Sequence, residues 1–256
     1  MDRQKFESLF DMSGRTVIVT GGTRGIGRSL AEAYVAAGAN VVVASRKAEA
    51  CAETEAHLAA MGGRALGVAT HVNDLDALAH LVGATVERFG GLDVVVNNAA
   101  NALTQPLGEY TPEAWQKSFD ANLRGPVFLV QEALPHLEAS EHAAVLNVIS
   151  AGAFLFSANV AMYAAAKAGL MSFTRSMAAA YADRGIRVNA LAPGTVNTDM
   201  VRNNPPEAQE RMKEASLMNR MAHPDEMVGP ALLLTSDAGS FVTGQCILAD
   251  GGMVPH

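Results

Sequence analysis

Short runs rich in β-branched residues alternate with longer helical segments along the chain, and this alternation restricts the fold more than any other feature. The runs are RTVIVT, NVVVAS, ALGVAT, DVVVNN, AAVLNVIS, IRVNALAP and QCILAD. Amphipathic segments lie between them, near residues 25–37, 47–61, 75–89, 112–137, 162–183 and 225–236. Such alternation indicates a parallel sheet whose right-handed crossovers place helices on both faces. We therefore predict a doubly wound α/β fold with about seven parallel strands.

Length, composition and charge restrict the organisation and the partners. A chain of 256 residues can bury one large core, and we expect a single domain over residues 1–256. Hydrophobic residues make up 49% and charged residues 18%, as in a compact aliphatic protein. The net charge of -7 and the lack of a Lys/Arg run argue against nucleic acid or a membrane surface as partner. A small-molecule substrate is expected.

The cysteines and the N-terminus predict the compartment. Cys51 and Cys246 lie far apart and match no metal-binding spacing, so no metal site is expected. The first residues, MDRQKFESLF, are too charged for a signal peptide, and no apolar run reaches the roughly 18 residues of a membrane helix. We expect a cytoplasmic protein.

The first strand runs into TGGTRGIG, a glycine-rich strand-to-helix turn. Gly21, Gly25 and Gly27 would let the backbone bend tightly and approach a pyrophosphate, while the following helix N-terminus favours negative charge. A Gly-rich turn alone is also compatible with simple turn geometry. Its place between an apolar strand and a helix favours a bound dinucleotide.

The second strand indicates which dinucleotide. A site for NAD usually offers an acidic residue at this strand end for the ribose 2′-hydroxyl. Here Ser45 and Arg46 stand there, and Arg46 with Arg24 could hold a 2′-phosphate by charge-assisted hydrogen bonds. Two solvated arginines are the alternative. The missing acid favours NADP(H) over NAD(H).

YAAAK, residues 163–167, places a phenol and an ammonium on one helical face, because residues i and i+4 are neighbours there. A cation near Tyr163 would stabilise its phenolate and lower a pKa that starts near 10. Tyr163 could then exchange a proton with a carbonyl or alcohol oxygen near neutral pH, with Lys167 tuning it. Taken alone, the pair could equally be part of an ordinary helix.

The motifs together resemble the short-chain dehydrogenase/reductase family. They are TGGTRGIG, NNAA at 97–100, NL at 122–123, Ser150, YAAAK at 163–167 and PGTVNTDM at 193–200, in the family's order over nearly the whole chain. The resemblance implies a Rossmann fold and four catalytic residues: Asn122, Ser150, Tyr163 and Lys167. It also implies that Ser150 holds the substrate oxygen and that Lys167 hydrogen-bonds the nicotinamide ribose.

Asn122 is the residue whose backbone carbonyl, by this resemblance, holds a water in a relay to the lysine. Pro126 follows four positions later and has no N–H to donate to that carbonyl. If a helix continues through this segment, the carbonyl of Asn122 is free to bind water. An ordinary Gly-Pro kink is a compatible alternative.

The resemblance further implies a set of cofactor-binding residues. They are Gly21, Thr23, Arg24, Gly25, Ile26, Gly27, Ser45, Arg46, His71, Val72, Asn98, Ala99, Ala100, Tyr163, Lys167, Pro193, Gly194, Val196 and Thr198. The chain departs from the family at His71, where an aspartate is frequent, and at Ala100, where glycine is more usual. His71 could still hydrogen-bond or stack on adenine.

Two stretches are expected to shape the substrate pocket: AGAFLFSANVAM at 151–162 and a substrate-lid insertion around 198–224. Phe154, Leu155, Phe156 and Met162 make the first apolar, and Met212, Met218 and Met221 could adapt to varied shapes in the second. An uncharged or apolar carbonyl compound is favoured. Ordinary core packing is the alternative.

The predicted function is an NADP(H)-dependent oxidoreductase that interconverts a ketone or aldehyde and an alcohol. A reductase of 3-oxoacyl groups on acyl carrier protein or coenzyme A is the alternative, although QEALPHLEASEHAA is acidic where an acidic carrier would require basic residues. A non-catalytic dinucleotide-binding regulator is a more remote alternative. The resemblance also implies a homotetramer, with helices 112–137 and 162–183 in one interface and the C-terminal strand in another.

Overall fold

The computed structural model describes residues 1–156 and 159–254, and within these ranges seven strands form one parallel sheet. The strands are β1 (Thr16–Thr20), β2 (Asn40–Ser45), β3 (Arg64–Ala69), β4 (Val94–Asn97), β5 (Ala144–Val148), β6 (Arg187–Pro193) and β7 (Cys246–Ala249). Their order is β3-β2-β1-β4-β5-β6-β7, and every pair is parallel. The predicted doubly wound sheet is confirmed. Six of the seven strands lie within their predicted runs, and β3 begins one residue before its run, at Arg64.

Helices connect the strands. They are α1 (Arg3–Ser8), α2 (Gly25–Ala36), α3 (Ala48–Ala60), α4 (Leu75–Phe89), α5 (Pro112–Phe119), α6 (Gly125–Glu138), α7 (Ala161–Tyr181), α8 (Asp199–Arg202), α9 (Pro206–Glu214) and α10 (Val228–Thr235). The helical pattern near 112–137 is divided by a π-helical segment, Asp120–Arg124, between α5 and α6. The sequence patterns did not predict α1, α8 or α9, which contain no buried residues to give a periodic apolar face.

The sheet is covered on both faces because neighbouring strand residues point to opposite sides. Val17 and Val19 belong to a core cluster that includes side chains of α2, α3 and α10. Ile18, between them, belongs to a second cluster with α4, α6 and α7. Burial on both faces explains why the central strands read as continuous β-branched runs.

The chain leaves the sheet after β6 and returns before α10. Val196 forms an isolated parallel bridge with Ala222, and the N–H of Ala222 donates to the carbonyl of Thr195 at 2.9 Å. Between these points lie α8 and α9, in the segment predicted to be an insertion. Its role as a lid stays a prediction.

No helix in the described ranges combines the length and the apolar character that crossing a membrane requires.

Close contact between α3 and β3 generates a prediction for stability. A Cβ added at Gly67 would lie 2.5 Å from the carbonyl oxygen of Cys51, whereas one at Gly83 in α4 would meet no atom within 4 Å. Gly67→Ala must displace the helix backbone and should lower the free energy of unfolding by about 1–3 kcal/mol. Gly83→Ala, the control, should raise it by about 0.5–1 kcal/mol, because alanine favours the helix. Denaturant unfolding measures both, and equal values would contradict the packing argument.

Candidate active site

The glycine-rich turn after β1 is shaped for close approach of a ligand. Gly21 has a φ of +65°, in the left-handed region. A Cβ at Gly27 would lie 2.2 Å from the carbonyl oxygen of Gly21 and 2.4 Å from Nδ2 of Asn98, so no side chain fits there. The start of α2 is thereby packed directly onto the turn, with its first N–H groups available to an anion.

Thr20 joins this turn to the loop after β4, and the sequence analysis missed it. Its hydroxyl oxygen accepts from the N–H groups of Asn98 at 3.0 Å and Ala99 at 3.1 Å, and it donates to the carbonyl of Val96. In return, Nδ2 of Asn98 donates to the carbonyl of Thr20 at 2.9 Å. A polar residue at the end of a buried strand was the available signal.

The end of β2 carries the cationic side chain predicted to select the cofactor. Arg46 is exposed beside Ser45. Arg24 forms an ion pair with Asp199 at 3.3 Å, and both side chains are well exposed, so solvent weakens the pair. A hydrogen bond from Arg202, and then the charges of Arg202 and Arg24, hold the pKa of Asp199 below its ordinary value.

Lys167 is buried in α7 beside Tyr163. Its ammonium donates to the carbonyl of Val148, at the end of β5, at 2.8 Å. It lies 5.8 Å from the centre of the Tyr163 ring. Burial lowers the pKa of Lys167 to about 7. Near neutral pH the amine is therefore protonated only about half of the time.

The direction of the pKa shift at Tyr163 differs from the expectation from sequence. Burial raises the pKa of the phenol above its ordinary value, and a hydrogen bond with Ser150 is what lowers it. The expected lowering by Lys167 is not found. The physical reason is that desolvation disfavours both charged forms, the phenolate and the ammonium.

Ser150 lies directly beyond β5 and caps a short 3-10 turn, Ala151–Ala153. Its hydroxyl oxygen accepts from the N–H of Gly152 at 3.0 Å and is hydrogen-bonded with the Tyr163 phenol. Ser150 is therefore both the cap of this turn and a hydrogen-bond partner of the phenol. The serine is oriented by the turn toward the phenol.

Asn122 lies in the π-helical segment and is fully buried behind the cleft wall. Its Nδ2 donates to the carbonyls of Asn101 at 2.8 Å and Ser118 at 2.9 Å, and its Oδ1 accepts from the Asn101 N–H. The side chain thus ties the loop after β4 to the helix. The helix does continue through the segment into α6, so Pro126 leaves the Asn122 carbonyl without an i+4 donor.

A cleft of about 650 Å³ brings the predicted residues together at the carboxyl ends of the strands. Every predicted cofactor-binding residue lines it, as do Ser150, Tyr163 and Lys167. Further lining residues that sequence reasoning missed are Ala44, Thr70, Asn73, Asn101, Leu103, Lys117, Ala121, Val148 and Ile149. Most of these carry no unusual residue type, so only the fold could identify them.

Of the two stretches expected to shape the substrate pocket, the 198–224 stretch contributes residues to the cleft, whereas no described residue of 151–162 lines it. Leu103, Met200 and Val201 contribute its apolar wall, with Lys117 as a polar neighbour. The predicted residues Phe154, Leu155, Phe156, Met162, Met212, Met218 and Met221 do not line this cleft. Met162 is buried, and Phe156 is fully exposed. Ser157 and Ala158, within the predicted stretch, lie outside the described residues.

The fold and cleft match known proteins. A family model described as enoyl-(acyl carrier protein) reductase matches residues 21–254. Cis-4-hydroxycyclohexanecarboxylate dehydrogenase of Sinomonas cyclohexanicum is 38% identical over 239 residues, 93% of this chain and 96% of that protein. The chain belongs to the short-chain dehydrogenase/reductase family. L-rhamnose 1-dehydrogenase (NAD(P)(+)) of Azotobacter vinelandii, another member, is 39% identical over 246 residues, 93% of this chain and 96% of that protein.

A solved structure of a family member agrees with the architecture. It is a candidate NAD(P)-dependent gluconate 5-dehydrogenase from Beutenbergia cavernae, with NADP bound at low occupancy. The TM-score is 0.90 at 34% sequence identity, over 97% of this chain and 100% of that one. The present chain, as a member of the short-chain dehydrogenase/reductase family, is accordingly an oxidoreductase of CH–OH and C=O groups.

Within the described ranges, no group of three or more His, Cys, Asp and Glu side chains is placed to hold a metal ion. Cys51 and Cys246 are both free thiols.

The buried lysine predicts a pH-dependent stability. Between pH 7 and about 10.5 the unfolded chain keeps a proton on Lys167 that the folded chain has lost, because the folded pKa is about 7 against an ordinary 10.5. The contribution of Lys167 to stability should therefore rise with pH in this window, by up to about 1.4 kcal/mol per pH unit. Below pH 7 both states are protonated and the contribution is constant.

Unfolding of the wild type and of Lys167→Met, measured from pH 6 to 9.5, tests this. The difference in free energy should move in favour of the wild type above pH 7. Lys47→Met is the control, since that side chain is exposed and hydrated in both states. A constant difference for Lys167→Met across the range would mean that the lysine is not held in a dry environment.

Proposed function

We propose that this protein is an NADP(H)-dependent oxidoreductase in which Tyr163 is the general acid and base for interconversion of a carbonyl compound and an alcohol. The observation that carries the proposal is one cleft that holds the glycine-rich turn, Arg46 and the Ser150–Tyr163 pair together. The glycine-rich turn fits a dinucleotide. Because Gly27 has no side chain, the start of α2 lies directly against the turn, where its N–H groups can bind a phosphate.

The bound nicotinamide would supply or accept the hydride. The chain's own residues handle the proton. In reduction, the phenol of Tyr163 donates its proton to the carbonyl oxygen, and in oxidation the same oxygen takes the proton back. Its raised pKa keeps the phenol protonated and suits it to the donor role.

The N–H of Gly152 fixes the hydroxyl oxygen of Ser150 in place. From this position Ser150 orients the phenol of Tyr163 and is proposed to form a second hydrogen bond to the substrate oxygen. Lys167 is proposed to hold the cofactor ribose and to promote phenolate formation once cofactor and substrate change its surroundings. Its low pKa makes the amine able to gain or lose a proton near pH 7. The carbonyl of Asn122 is proposed to bind the relay water, as the lack of an N–H on Pro126 permits.

The preference for NADP(H) rests on the end of β2. Arg46 is exposed at the cleft with Ser45 in place of an acid, and Arg24 of the glycine-rich turn lines the same cleft. The ion pair of Arg24 with Asp199 is exposed and weak, so a phosphate dianion can displace it.

A free hydroxy compound or its ketone is the favoured substrate. The two relatives are named for a cyclic hydroxy acid and a sugar, neither of which is a carrier-bound acyl group. The apolar wall of Leu103 and Met200, with Lys117 nearby, supports a compact substrate with one polar end. The 3-oxoacyl reductase is the alternative within the same reaction class.

Assembly and location stay predictions. Trp115 on α5 and Phe173 on α7 are exposed apolar side chains, and Phe241 is exposed close before β7, which supports the two expected interfaces of a homotetramer. Two free thiols are compatible with the reducing cytoplasm.

Tyr163→Phe tests the chemistry. Removing the phenolic oxygen should lower kcat by about 10²- to 10⁴-fold, because general acid-base catalysis typically contributes that much. NADPH affinity, measured by fluorescence titration, should change little. Tyr181→Phe, on the same helix away from the cleft, is the matched control and should keep full turnover. Unchanged turnover in Tyr163→Phe, with a panel of ketones and secondary alcohols, would refute the assigned role.

Arg46→Ala tests the choice of cofactor. Loss of a hydrogen bond to a charged phosphate costs about 1.5–3 kcal/mol, so NADPH affinity should fall about 10- to 100-fold. NADH affinity should stay nearly constant and is the internal control. A wild type that binds NADH as tightly as NADPH would contradict the proposed preference, whatever Arg46→Ala does.

A further inference from the structure

A continuous row of hydrogen bonds crosses the core beneath the active site, from α6 to α7. Nδ2 of Asn97 donates to the carbonyl of Pro126 at 3.3 Å and to Oδ1 of Asn147 at 2.9 Å. Nδ2 of Asn147 donates to the hydroxyl oxygen of Thr174 at 2.9 Å, and that hydroxyl donates to the carbonyl of Leu170 at 2.8 Å. Asn97, Asn147 and Thr174 are all buried.

The direction of these bonds is fixed. Thr174 has one hydroxyl proton, and because it is given to Leu170, Thr174 can only accept from Asn147. The amide of Asn147 must then present its oxygen to Asn97. Each bond thus demands one orientation of the next, and leaving a buried group unpaired costs about 1–3 kcal/mol.

The row interrupts an otherwise apolar face. Every second residue on β5 and just beyond it, namely Val145, Asn147 and Ile149, points to the side of the sheet that α6 and α7 cover. Val145 and Ile149 pack into two different apolar clusters there. Apolar contacts are non-directional and tolerate small shifts along the strand. The directed hydrogen bond from Asn147 to Thr174 does not tolerate such shifts.

This contact lies close to the reacting groups. Thr174 is two helical turns after Lys167 on the buried side of α7, about 10 Å along the helix axis. Asn147 directly precedes Val148, whose carbonyl holds the Lys167 ammonium. Adjacent residues of β5 therefore hold α7 at two separate points.

We propose that Asn147 and Thr174 are positioning residues of the active site, whose hydrogen bond fixes α7 along β5 and so places Tyr163 and Lys167 relative to Ser150. The catalytic readout of this proposal rests on the proposed function. A purely structural role would affect the free energy of unfolding alone.

Three variants separate the two roles. Thr174→Val keeps the shape but removes the hydroxyl, and Thr174→Ser retains it. Thr85→Val is the matched control: Thr85 is equally buried and donates to the carbonyl of Leu81, but on α4.

Steady-state kinetics at saturating NADPH, well below the unfolding temperature, gives the main result. Thr174→Val should lower kcat about 10- to 100-fold, as small misplacements of catalytic groups do, with NADPH affinity nearly unchanged. Thr174→Ser should recover most of kcat, and Thr85→Val should stay near wild type. Full kcat in Thr174→Val overturns the proposal.

A second readout does not need turnover. If the wild type reduces and oxidises nothing, the proposed function fails, and the positioning of α7 is tested by the pH dependence of unfolding between pH 7 and 9.5. Displacement of the helix in Thr174→Val should admit water to Lys167 and flatten the slope that this lysine produces, while Thr174→Ser should keep it. With an inactive wild type, an unchanged slope in Thr174→Val overturns the proposal.

Discussion

A parallel sheet covered by helices on both faces leaves its strand ends as the place where residues from distant parts of the chain can meet a ligand. Here the strands end in the glycine-rich turn after β1, Arg46 after β2, and Ser150 after β5. The helices that cover the faces also bring Tyr163 to the same edge. The cleft therefore follows from the covering of the sheet.

Burial at this edge of the sheet destabilises the charged forms of Lys167 and Tyr163. The site therefore depends on the hydrogen bonds that hold these two side chains. Lys167 is buried with a single carbonyl partner in the described structure, and desolvation lowers its pKa toward neutrality. The same desolvation raises the pKa of Tyr163. Hydrogen bonds rather than charge attraction then organise the free site: Ser150 holds the phenol, and Val148 holds the ammonium. A bound cofactor and substrate would act on a pair already oriented.

Buried side-chain amides fix how the surrounding helices and loops lie against the strands. Asn122 binds the Asn101 backbone, and Asn147 joins β5 to α7 through Thr174. Apolar packing alone would supply most of the stability of these contacts, yet it would allow helices to slide along strands. Placing polar groups in the core beneath a reaction site couples the stability of the fold to the alignment of the reacting groups.

The sequence by itself determined the seven strands, the parallel doubly wound class and the glycine, arginine, serine and Tyr-Lys residues of the cleft, because periodicity and strand-end motifs are local signals. Only the tertiary structure decided the direction of the pKa shift at Tyr163, the place of Leu103 in the cleft wall, and the partners of Asn122. These depend on desolvation and on contacts between residues far apart in the chain. Local patterns carry no record of either, and the division of the helix at Asp120–Arg124 escaped them for the same reason.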